Sequence, residues 1–389
     1  MKIGIIFDGL KIGGIERIGI NYIKLLLEIG HEVDVFNLNS SFCEMEQEIP
    51  LQCKIFHWKF PRILSPELYS KLVKKSVGFK VIYPLIYIGV SIVNLFYKGI
   101  FRMKETFRKQ YDVVIAFSGH YNDLTFVSSN FLRCKKKMCW LHGALYGYAL
   151  ISDGYLNLYN KIKNLIVLVD TFQEEVLFVN KQLDLSIQKL YNPSFIAEKG
   201  IDKEKIAKLR KKYGKFLLMI GRLDKDKDQL TLIKAIEYIR DRYDFAEKLV
   251  LVGDGERKEE LEDYVISNGL EETVFFEGSQ MDVQNYYSAA YLFTHSSPLE
   301  GLPTTLIEAL FFNLPIVSTD SLPGVREILG NNEYGLVVPV SDAEKMGEEI
   351  YRIYSDERLY HLYATKGKEK FEEFSPEKIK DTLKNILIS

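Results

Sequence analysis

Short apolar segments with the length of β-strands alternate with segments of helical periodicity, and this alternation constrains the fold most. Residues 3–7 form the first predicted strand, and a predicted helix follows to about Ile29. Gly30 ends that helix, and residues 33–36 form the next strand. Strands separated by helices predict parallel βαβ units, and hence an α/β fold with doubly wound sheets. The apolar residues of the first helix recur at helical spacing, at Ile15, Ile18, Tyr22, Leu25, Leu26 and Ile29.

The alternation pauses once and then begins again, which predicts two domains. Pro193 ends regular structure, so we expect one domain over residues 1–193 and a second over 194–374. Ser375 and Pro376 are typical of a helix start, and the helix at 375–389 is expected to pack back on the first domain. Later strands of the first series are predicted at 54–57, 113–117, 137–141 and 165–169, and those of the second at 216–220, 249–252, 274–276, 292–294, 316–318 and 336–338.

Charge and cysteine content exclude several classes of protein. The 389 residues include 51 basic and 53 acidic side chains, which argues against a nucleic-acid-binding protein. The N-terminus lacks a basic leader followed by a long apolar run, so we expect no signal peptide. Four cysteines are too few for a disulfide framework and lack zinc-site spacing, which indicates a reducing compartment. They are Cys43, Cys53, Cys134 and Cys139.

Residues 71–109 form a basic, aromatic segment with nine basic residues and one acidic residue. Within it, residues 81–97 carry no charge, but this run is shorter than the ~20 residues that span a bilayer. Predicted strands on both sides would belong to one sheet, which also argues against crossing. We therefore expect a helix in the membrane interface. The alternative is a helix or helical hairpin packed on the sheet, with solvated lysines.

Ligands of doubly wound sheets bind beyond the carboxyl ends of the strands, so we expect the site in a cleft between the domains. Gly13 and Gly14 lie at the first strand-to-helix turn, where backbone and helix N-terminus can hold an anion. An ordinary tight turn explains them equally well. His142 ends a predicted strand and is a candidate for the same cleft, and a structural histidine is its alternative.

Two cations follow the first strand of the second domain, in the run from Gly221 to Lys227. Arg222 and Lys227 could both bind a diphosphate from this loop. Asp224 and Asp226 match the short DxD pattern of metal-dependent sugar transferases. Because three cations surround these two acids, internal pairing is the simpler interpretation, and we expect no metal.

The run from Glu300 to Glu308 is the most specific signal in the chain. Pro303 suits the first turn of a helix, so Glu300 lies just before that helix and Glu308 inside it. The first-turn amides then form an anion cradle beside Glu300. A carboxylate on an otherwise apolar helix needs a partner, which sugar or ribose hydroxyls would provide. A salt bridge to a lysine is the alternative.

Together these motifs resemble the retaining GT-B glycosyltransferases often called family 4. The resemblance covers nearly the whole chain and is strongest from 216 to 340. One departure is Asp228, which follows Lys227 where glycine is common in the family. The matching pieces are Gly13-Gly14, His142, Gly221-Arg222-Leu223 with Lys227, the turn at 252–255 with Gly253, and Glu300-x7-Glu308 followed by Ala309-Leu310.

The resemblance implies a metal-independent enzyme without a cofactor that uses a nucleotide-diphosphate sugar, with UDP-sugar favoured. The resemblance also implies that such an enzyme would retain the anomeric configuration and make an α-linkage, and that the leaving phosphate would take the acceptor's proton. Arg222 and Lys227 would bind the diphosphate, Glu300 the donor sugar and Glu308 the ribose. Gly14 would close the phosphate cradle from the other domain, and His142 would lie beside the sugar. The remaining donor-site candidates are Gly13, Gly221, Gly253, Gly301, Leu302, Pro303 and Thr304.

The basic segment suits a glycan or lipid-linked saccharide acceptor at the cytoplasmic face of the membrane, as in assembly of a capsule or O-antigen. A nucleotide-sugar epimerase or a phosphorylase could share the fold. A catalytically inactive transferase-like scaffold is a further alternative. The intact set of Arg222, Lys227, Glu300 and Glu308 argues against the scaffold.

Overall fold

The computed structural model describes residues 1–73, 76–104, 107–143, 154–171, 184–196 and 200–388. The chain divides into two compact units. The first comprises Met1–Pro193 together with Ile379–Ser389, and the second comprises Ser194–Lys378. Each unit is built on one parallel sheet with helices between its strands.

The first unit holds a seven-stranded sheet in the order β3-β2-β1-β4-β5-β6-β7, and all neighbouring strands are parallel. Strand order reverses between β1 and β4, which makes their carboxyl ends the expected ligand position of this sheet. The strands are β1 (Lys2–Phe7), β2 (Glu32–Asn37), β3 (Lys54–His57), β4 (Gln110–Ala116), β5 (Arg133–Leu141), β6 (Asn164–Val167) and β7 (Ser186–Lys189). The helices are α1 (Gly14–Glu28), α2 (Ser70–Val73), α3 (Val77–Met103), α4 (Tyr121–Ser128) and α5 (Gly154–Ile162).

The core of the first unit is rich in aromatic side chains. Tyr22 of α1 contacts Phe117 and Trp140, with ring centroids 5.7 and 5.2 Å apart, so the helix is fixed on the sheet beside the ends of β4 and β5. These three side chains are almost fully buried, and burying each contributes roughly 1.5–3 kcal/mol or more.

The second unit holds a six-stranded parallel sheet in the order β10-β9-β8-β11-β12-β13. Here the order reverses between β8 and β11. The strands are β8 (Phe216–Ile220), β9 (Lys248–Val252), β10 (Val274–Phe276), β11 (Leu292–His295), β12 (Ile316–Thr319) and β13 (Leu336–Val338). The helices are α6 (Lys203–Tyr213), α7 (Gln229–Tyr243), α8 (Lys258–Ser267), α9 (Val283–Ala289), α10 (Thr304–Phe311), α11 (Gly324–Leu329), α12 (Ala343–Ser355) and α13 (Glu357–Phe371).

The last helix, α14 (Pro376–Ile388), returns to the first unit. The Ser375 hydroxyl accepts a hydrogen bond from the Lys378 amide at 3.4 Å, as expected of an N-cap. Lys136 donates to the carbonyl oxygen of Ile386 at 2.8 Å, and Lys380 forms an ion pair with Glu28 at 2.5 Å.

Two parts of the first unit differ from the sequence prediction. β7 was not predicted, because its four residues include one large apolar side chain, Ile187, and it lies at the sheet edge. Residues 81–97 belong to one continuous helix, α3, and not to a hairpin, because Pro84 removes one backbone donor without ending the helix. Lys74, Lys75 and Glu105 of the basic segment lie outside the described residues.

Candidate active site

Lys227 and Glu300 meet at the carboxyl edge of the second sheet. The loop after β8 carries Lys227, and the loop after β11 carries Glu300. These strands are neighbours at the point where the strand order reverses, so both loops lie where doubly wound sheets bind ligands. The Lys227 ammonium forms an ion pair with Oε1 of Glu300. The lysine partner of Glu300 is thus itself a candidate site residue.

Glu300 is a largely buried carboxylate. Nε2 of His295 lies 3.3 Å from its Oε1, and Nδ1 of His295 lies 2.9 Å from the Ser318 hydroxyl. Burial by itself would raise the pKa of Glu300. The hydrogen bond with His295 and the charge of Lys227 outweigh burial and lower this pKa to about 2. Glu300 is therefore an ionised hydrogen-bond acceptor at physiological pH.

The loop that carries Glu300 is held against the loop that follows β12. The Gly324 amide donates to the Glu300 carbonyl oxygen at 3.2 Å. A Cβ at Gly324 would overlap the carbonyl of Gly301, so the two backbones approach as closely as glycine allows. The buried Thr319 hydroxyl donates to the Ser297 carbonyl oxygen at 2.6 Å. These contacts position Glu300 rigidly.

Gly221 and Gly253 bring two loops of the same edge together. The Gly221 amide donates to the Val252 carbonyl oxygen at 3.0 Å. Gly253 has a φ of +147°, and a Cβ there would overlap the carbonyl oxygen of Gly221. Glycine at 253 is thus required by both its backbone conformation and the space around it.

Arg222 is a predicted site residue with an exposed side chain. Its guanidinium pairs with Asp224 at 3.0 Å and with Asp226 at 3.8 Å. Oδ1 of Asp224 also accepts hydrogen bonds from the amides of Asp226 and Lys227, at 3.0 and 3.1 Å. Both acids of the DxD pattern are therefore engaged within the loop. The described residues include no group of three or more potential metal ligands.

Asp228 is the residue that departs from the resemblance, which implies glycine there, and its backbone conformation is one that glycine adopts readily. It adopts the left-handed conformation, with a φ of +46°, directly before α7. Aspartate tolerates this conformation better than most residues with a Cβ. Its carboxylate accepts a hydrogen bond from the Thr231 hydroxyl at 2.6 Å. The loop therefore keeps a glycine-like shape despite the substitution.

Helix α10 begins at Thr304 and carries Glu308 one turn further on. Pro303 was predicted in the first turn but lies directly before it, at the N-cap, where its missing amide leaves no hydrogen bond unmade. Leu302 is buried beneath this turn. The Tyr287 hydroxyl donates to Oε2 of Glu308 at 2.9 Å. Tyr287 is fully buried, and burial raises its pKa well above the ordinary value, so it remains a donor.

Gly13, Gly14 and His142 belong to the first unit. Gly13 is the N-cap of α1, and Gly14 is its first residue. His142 follows β5, and its ring nitrogen Nε2 donates to the Phe117 carbonyl oxygen at 2.6 Å. Burial lowers the pKa of His142 to about 4, so its imidazole is neutral at physiological pH. Nδ1 is then its acceptor nitrogen.

The second unit matches a known family. Residues 201–370 match the sequence profile described as Glycosyl transferases group 1. This part of the chain is therefore similar to the group 1 glycosyltransferases. It contains all the predicted site residues from Gly221 to Glu308, so the resemblance of these motifs to glycosyltransferases is confirmed.

Curated relatives of the chain include an enzyme of Campylobacter jejuni named N-acetylgalactosamine-N,N'-diacetylbacillosaminyl-diphospho-undecaprenol 4-alpha-N-acetylgalactosaminyltransferase. It is 36% identical over 174 residues, which are 44% of this chain and 47% of that enzyme. The matched part thus spans about half the length of that relative. An uncharacterized glycosyltransferase of Haemophilus influenzae is 25% identical over 386 residues, 96% of each chain.

Solved structures resemble the whole chain. Anabaena HepE in complex with UDP and glucose has a TM-score of 0.74 at 20% identity, covering 100% of this chain and 99% of that one. TarM has a TM-score of 0.72 at 14% identity, with the same coverage. At these identities the likeness shows the fold alone, and the predicted two-domain α/β fold of the GT-B type is confirmed.

Three residues that hold the candidate carboxylates in place were not predicted from the sequence. His295 and Ser318 orient Glu300, and Tyr287 holds Glu308. His295 ends a central strand, as His142 nearly does, and this position could have identified it. Ser318 and Tyr287 lie in ordinary apolar contexts along the chain, so their roles appear only in the folded structure.

Proposed function

We propose that the chain is a glycosyltransferase that moves a sugar from a UDP-sugar to a glycan or lipid-linked saccharide. The observation that carries this proposal is the Lys227–Glu300 pair at the reversal point of the second sheet, within the residues that match Glycosyl transferases group 1. A cation and an ionised carboxylate side by side suit a sugar diphosphate, which presents phosphate oxygens next to hydroxyl groups.

The donor site is proposed to work by charge stabilisation. Breaking the bond between sugar and phosphate builds negative charge on the diphosphate, and preorganised cations and amides stabilise that charge. Lys227 and Arg222 supply the cations, and the first turn of α10 at Thr304 supplies the amides. Glu300 accepts hydrogen bonds from the donor sugar, and Glu308, oriented by Tyr287, accepts them from the ribose.

We further propose retention of the anomeric configuration, an α-linkage and transfer of the acceptor's proton to the leaving phosphate. The family resemblance supports these three features. The reaction is proposed to need no metal, because Asp224 and Asp226 are engaged with Arg222 and with loop amides.

The acceptor is proposed to be a saccharide on a lipid diphosphate, in the assembly of a bacterial surface glycan such as a capsule or O-antigen. Two relatives in Campylobacter jejuni carry a diphospho-undecaprenol or PP-undecaprenol saccharide in their names. A relative in Rhizobium meliloti is named a lipopolysaccharide core biosynthesis glycosyltransferase.

A panel of UDP-sugars with octyl glycosides as acceptors, assayed in EDTA, tests the proposed function. We expect UDP release that depends on both a donor and an acceptor and that persists in EDTA. The product linkage is then determined by NMR. Altered sugar and free nucleotide without an acceptor would indicate an epimerase instead. Loss of activity in EDTA with rescue by Mn²⁺ would contradict metal independence, and absence of UDP binding would favour a scaffold.

We propose that α3 holds the enzyme on the cytoplasmic face of the membrane. Of the described helices, only Gly78–Met103 is long and apolar enough to cross a bilayer, with a mean hydropathy of 1.7. It connects β3 and β4, which belong to one sheet. A single crossing would place these strands on opposite sides of the membrane, so the helix is proposed to lie in the interface.

The polarity of α3 is the reverse of that of an ordinary surface helix. Its polar side chains bind the first unit: Asn94 donates to the Leu64 carbonyl oxygen at 2.9 Å, and Lys98 donates to that of Ser129 at 3.1 Å. The polar side of α3 therefore packs against the first unit along the length of the helix. The opposite face exposes ten large apolar side chains, Val81, Ile82, Leu85, Ile88, Ile92, Val93, Leu95, Phe96, Ile100 and Met103.

Apolar exposure on this scale favours an acyl-chain environment over water. Helix α3 contains no acidic residue, and Lys80 and Lys104 are exposed at its two ends. Basic residues near anionic lipid contribute about 1 kcal/mol each to membrane binding. An anionic lipid surface fits both the apolar face of α3 and the positive charge of its lysines.

Replacing Leu85 and Phe96 with aspartate is expected to lower vesicle binding at least tenfold, because two charges would enter the apolar interface. Flotation with phosphatidylcholine vesicles containing phosphatidylglycerol measures this. Leu51→Asp is the matched control, since Leu51 is fully exposed on the same unit but outside α3. Lys80→Gln with Lys104→Gln should weaken binding to the anionic vesicles alone. Unchanged flotation of the Leu85/Phe96 variant would contradict the proposal.

A further inference from the structure

Asp8 and His120 form a carboxylate–imidazole pair at the carboxyl edge of the first sheet. Asp8 directly follows β1, and His120 lies between β4 and α4. Oδ2 of Asp8 is 3.2 Å from Nδ1 of His120. The Asp8 amide donates to the Ser118 hydroxyl at 3.0 Å, which ties the two strand ends together. β1 and β4 are the strands between which the order reverses, so the pair lies at this sheet's expected ligand position.

Nδ1 of His120 faces Asp8, so Nε2 is the ring nitrogen turned away from this carboxylate. In the neutral ring with its hydrogen on Nδ1, Asp8 accepts that hydrogen and the lone pair lies on Nε2. The His120 side chain is 42% exposed, so this acceptor is accessible. Asn122 lies beside this pair, and its Nδ2 donates to Oδ1 of Asp8 at 2.6 Å. Oδ1 of Asn122 is buried and has no hydrogen-bond partner among the described residues.

A buried carboxylate fixes the backbone beneath the pair. Oδ2 and Oδ1 of Asp123 accept the amides of Gly119 and His120, at 2.9 and 2.8 Å. Asp123 is fully buried, and burial raises its pKa to about 7. His120 therefore cannot shift without breaking a buried hydrogen bond.

From this arrangement we infer that Asp8 and His120 bind hydroxyl groups of the acceptor saccharide, with Asn122 positioning the Asp8 carboxylate. An imidazole acceptor and a carboxylate lie side by side, and both accept hydrogen bonds from hydroxyl groups. The inference rests on the proposed function, since it takes the acceptor to be a saccharide. It adds the first unit's binding residues, none of which belongs to the donor-site motifs.

The pair also makes acceptor binding depend on pH. Neutral His120 accepts a hydroxyl hydrogen through Nε2, whereas the protonated ring cannot. The hydrogen bond that the His120 ring donates to Asp8 raises the pKa of His120. The affinity for the acceptor is therefore present above this raised pKa and is lost as the pH falls through it. The titratable groups around His120 are Asp8 at the end of β1, Glu16 on α1, Asp123 on α4 and, after β5, His142.

The test measures KM for the best octyl glycoside of the panel from pH 5 to pH 9, with the affinity for UDP measured separately by calorimetry. His120→Ala is expected to raise this KM about tenfold, because one hydrogen bond to the acceptor is lost. The increase of KM at low pH should also disappear in this variant. Asp8→Asn is expected to move that rise to lower pH, because the imidazole loses its carboxylate. UDP affinity should stay within twofold of the wild type in both variants.

His31→Ala is the matched control, since His31 lies at the amino-terminal edge of the same sheet, directly before β2. A wild-type KM in His120→Ala, or an unchanged pH dependence in Asp8→Asn, would overturn the inference while transfer itself persists. A parallel loss of UDP affinity would also overturn it, because the residue would then support folding or donor binding. A wild-type chain without transfer activity refutes the proposed function, and this inference falls with it.

Discussion

Lys227→Ala is expected to lower the rate of sugar transfer at least about a hundredfold. The ammonium is held in place by Glu300 before the reaction begins, so it stabilises the charge on the leaving diphosphate without reorganisation. Its removal also leaves a buried carboxylate without its cation, which destabilises the second unit. Turnover at saturating donor and the unfolding midpoint measure the two effects separately.

A second substitution separates the loss of catalysis from the loss of stability. Lys227→Ala combined with Glu300→Gln removes the unpaired charge, so this double variant should regain stability but not activity. Lys225→Ala is the matched control, because Lys225 is an exposed lysine in the same loop. Arg222→Ala is also expected to lower turnover while the fold persists. Near-normal rates in both Arg222→Ala and Lys227→Ala would refute the proposed donor site.

Gly253→Ala is expected to destabilise the second unit by roughly 3 kcal/mol or more. The methyl group would overlap the Gly221 carbonyl oxygen, and the backbone would have to keep a φ of +147° with a Cβ attached. The loop after β8 would then move, and Arg222 and Lys227 would move with it. Calorimetric unfolding and UDP affinity should therefore both decline.

Gly214→Ala is the control that isolates the effect of overlap. Gly214 also has a positive φ, of +70°, but the space around its Cβ position is open among the described residues. We expect a smaller cost there than at Gly253, because only the backbone conformation, with a φ of +70° and a ψ of −138°, opposes a Cβ. Equal destabilisation by the two substitutions would mean that the Gly221–Gly253 approach has no special role.

Much of the second unit could be predicted because its signals are local. Its six strands are short apolar runs bounded by glycine, proline or polar residues, and all six occur at or near the predicted positions. Glu300, Pro303 and Glu308 lie in one run, so their relation to a helix start follows from spacing alone. β7 was missed because an edge strand with one large apolar residue carries little periodic signal.

The partners of the candidate residues could not be predicted in the same way. His295 and Ser318 come from neighbouring strands, and the contact between them, which orients the His295 ring beside Glu300, depends on the order of β11 and β12 in the sheet. Asp8 and His120 are likewise brought together by the pairing of β1 with β4. Such contacts join residues far apart in the chain, and a single sequence carries no record of them.

By itself, the sequence determined the two α/β units, the position of the donor-site motifs and the apolar character of residues 81–97, because each depends on periodicity or spacing within a short stretch. Only the tertiary structure decided that Lys227 pairs with Glu300, that Asp228 adopts a glycine-like backbone and that α3 turns its polar face inward. The physical reason is that burial and hydrogen bonding depend on which surfaces meet. That is set by strand order and packing and not by local composition.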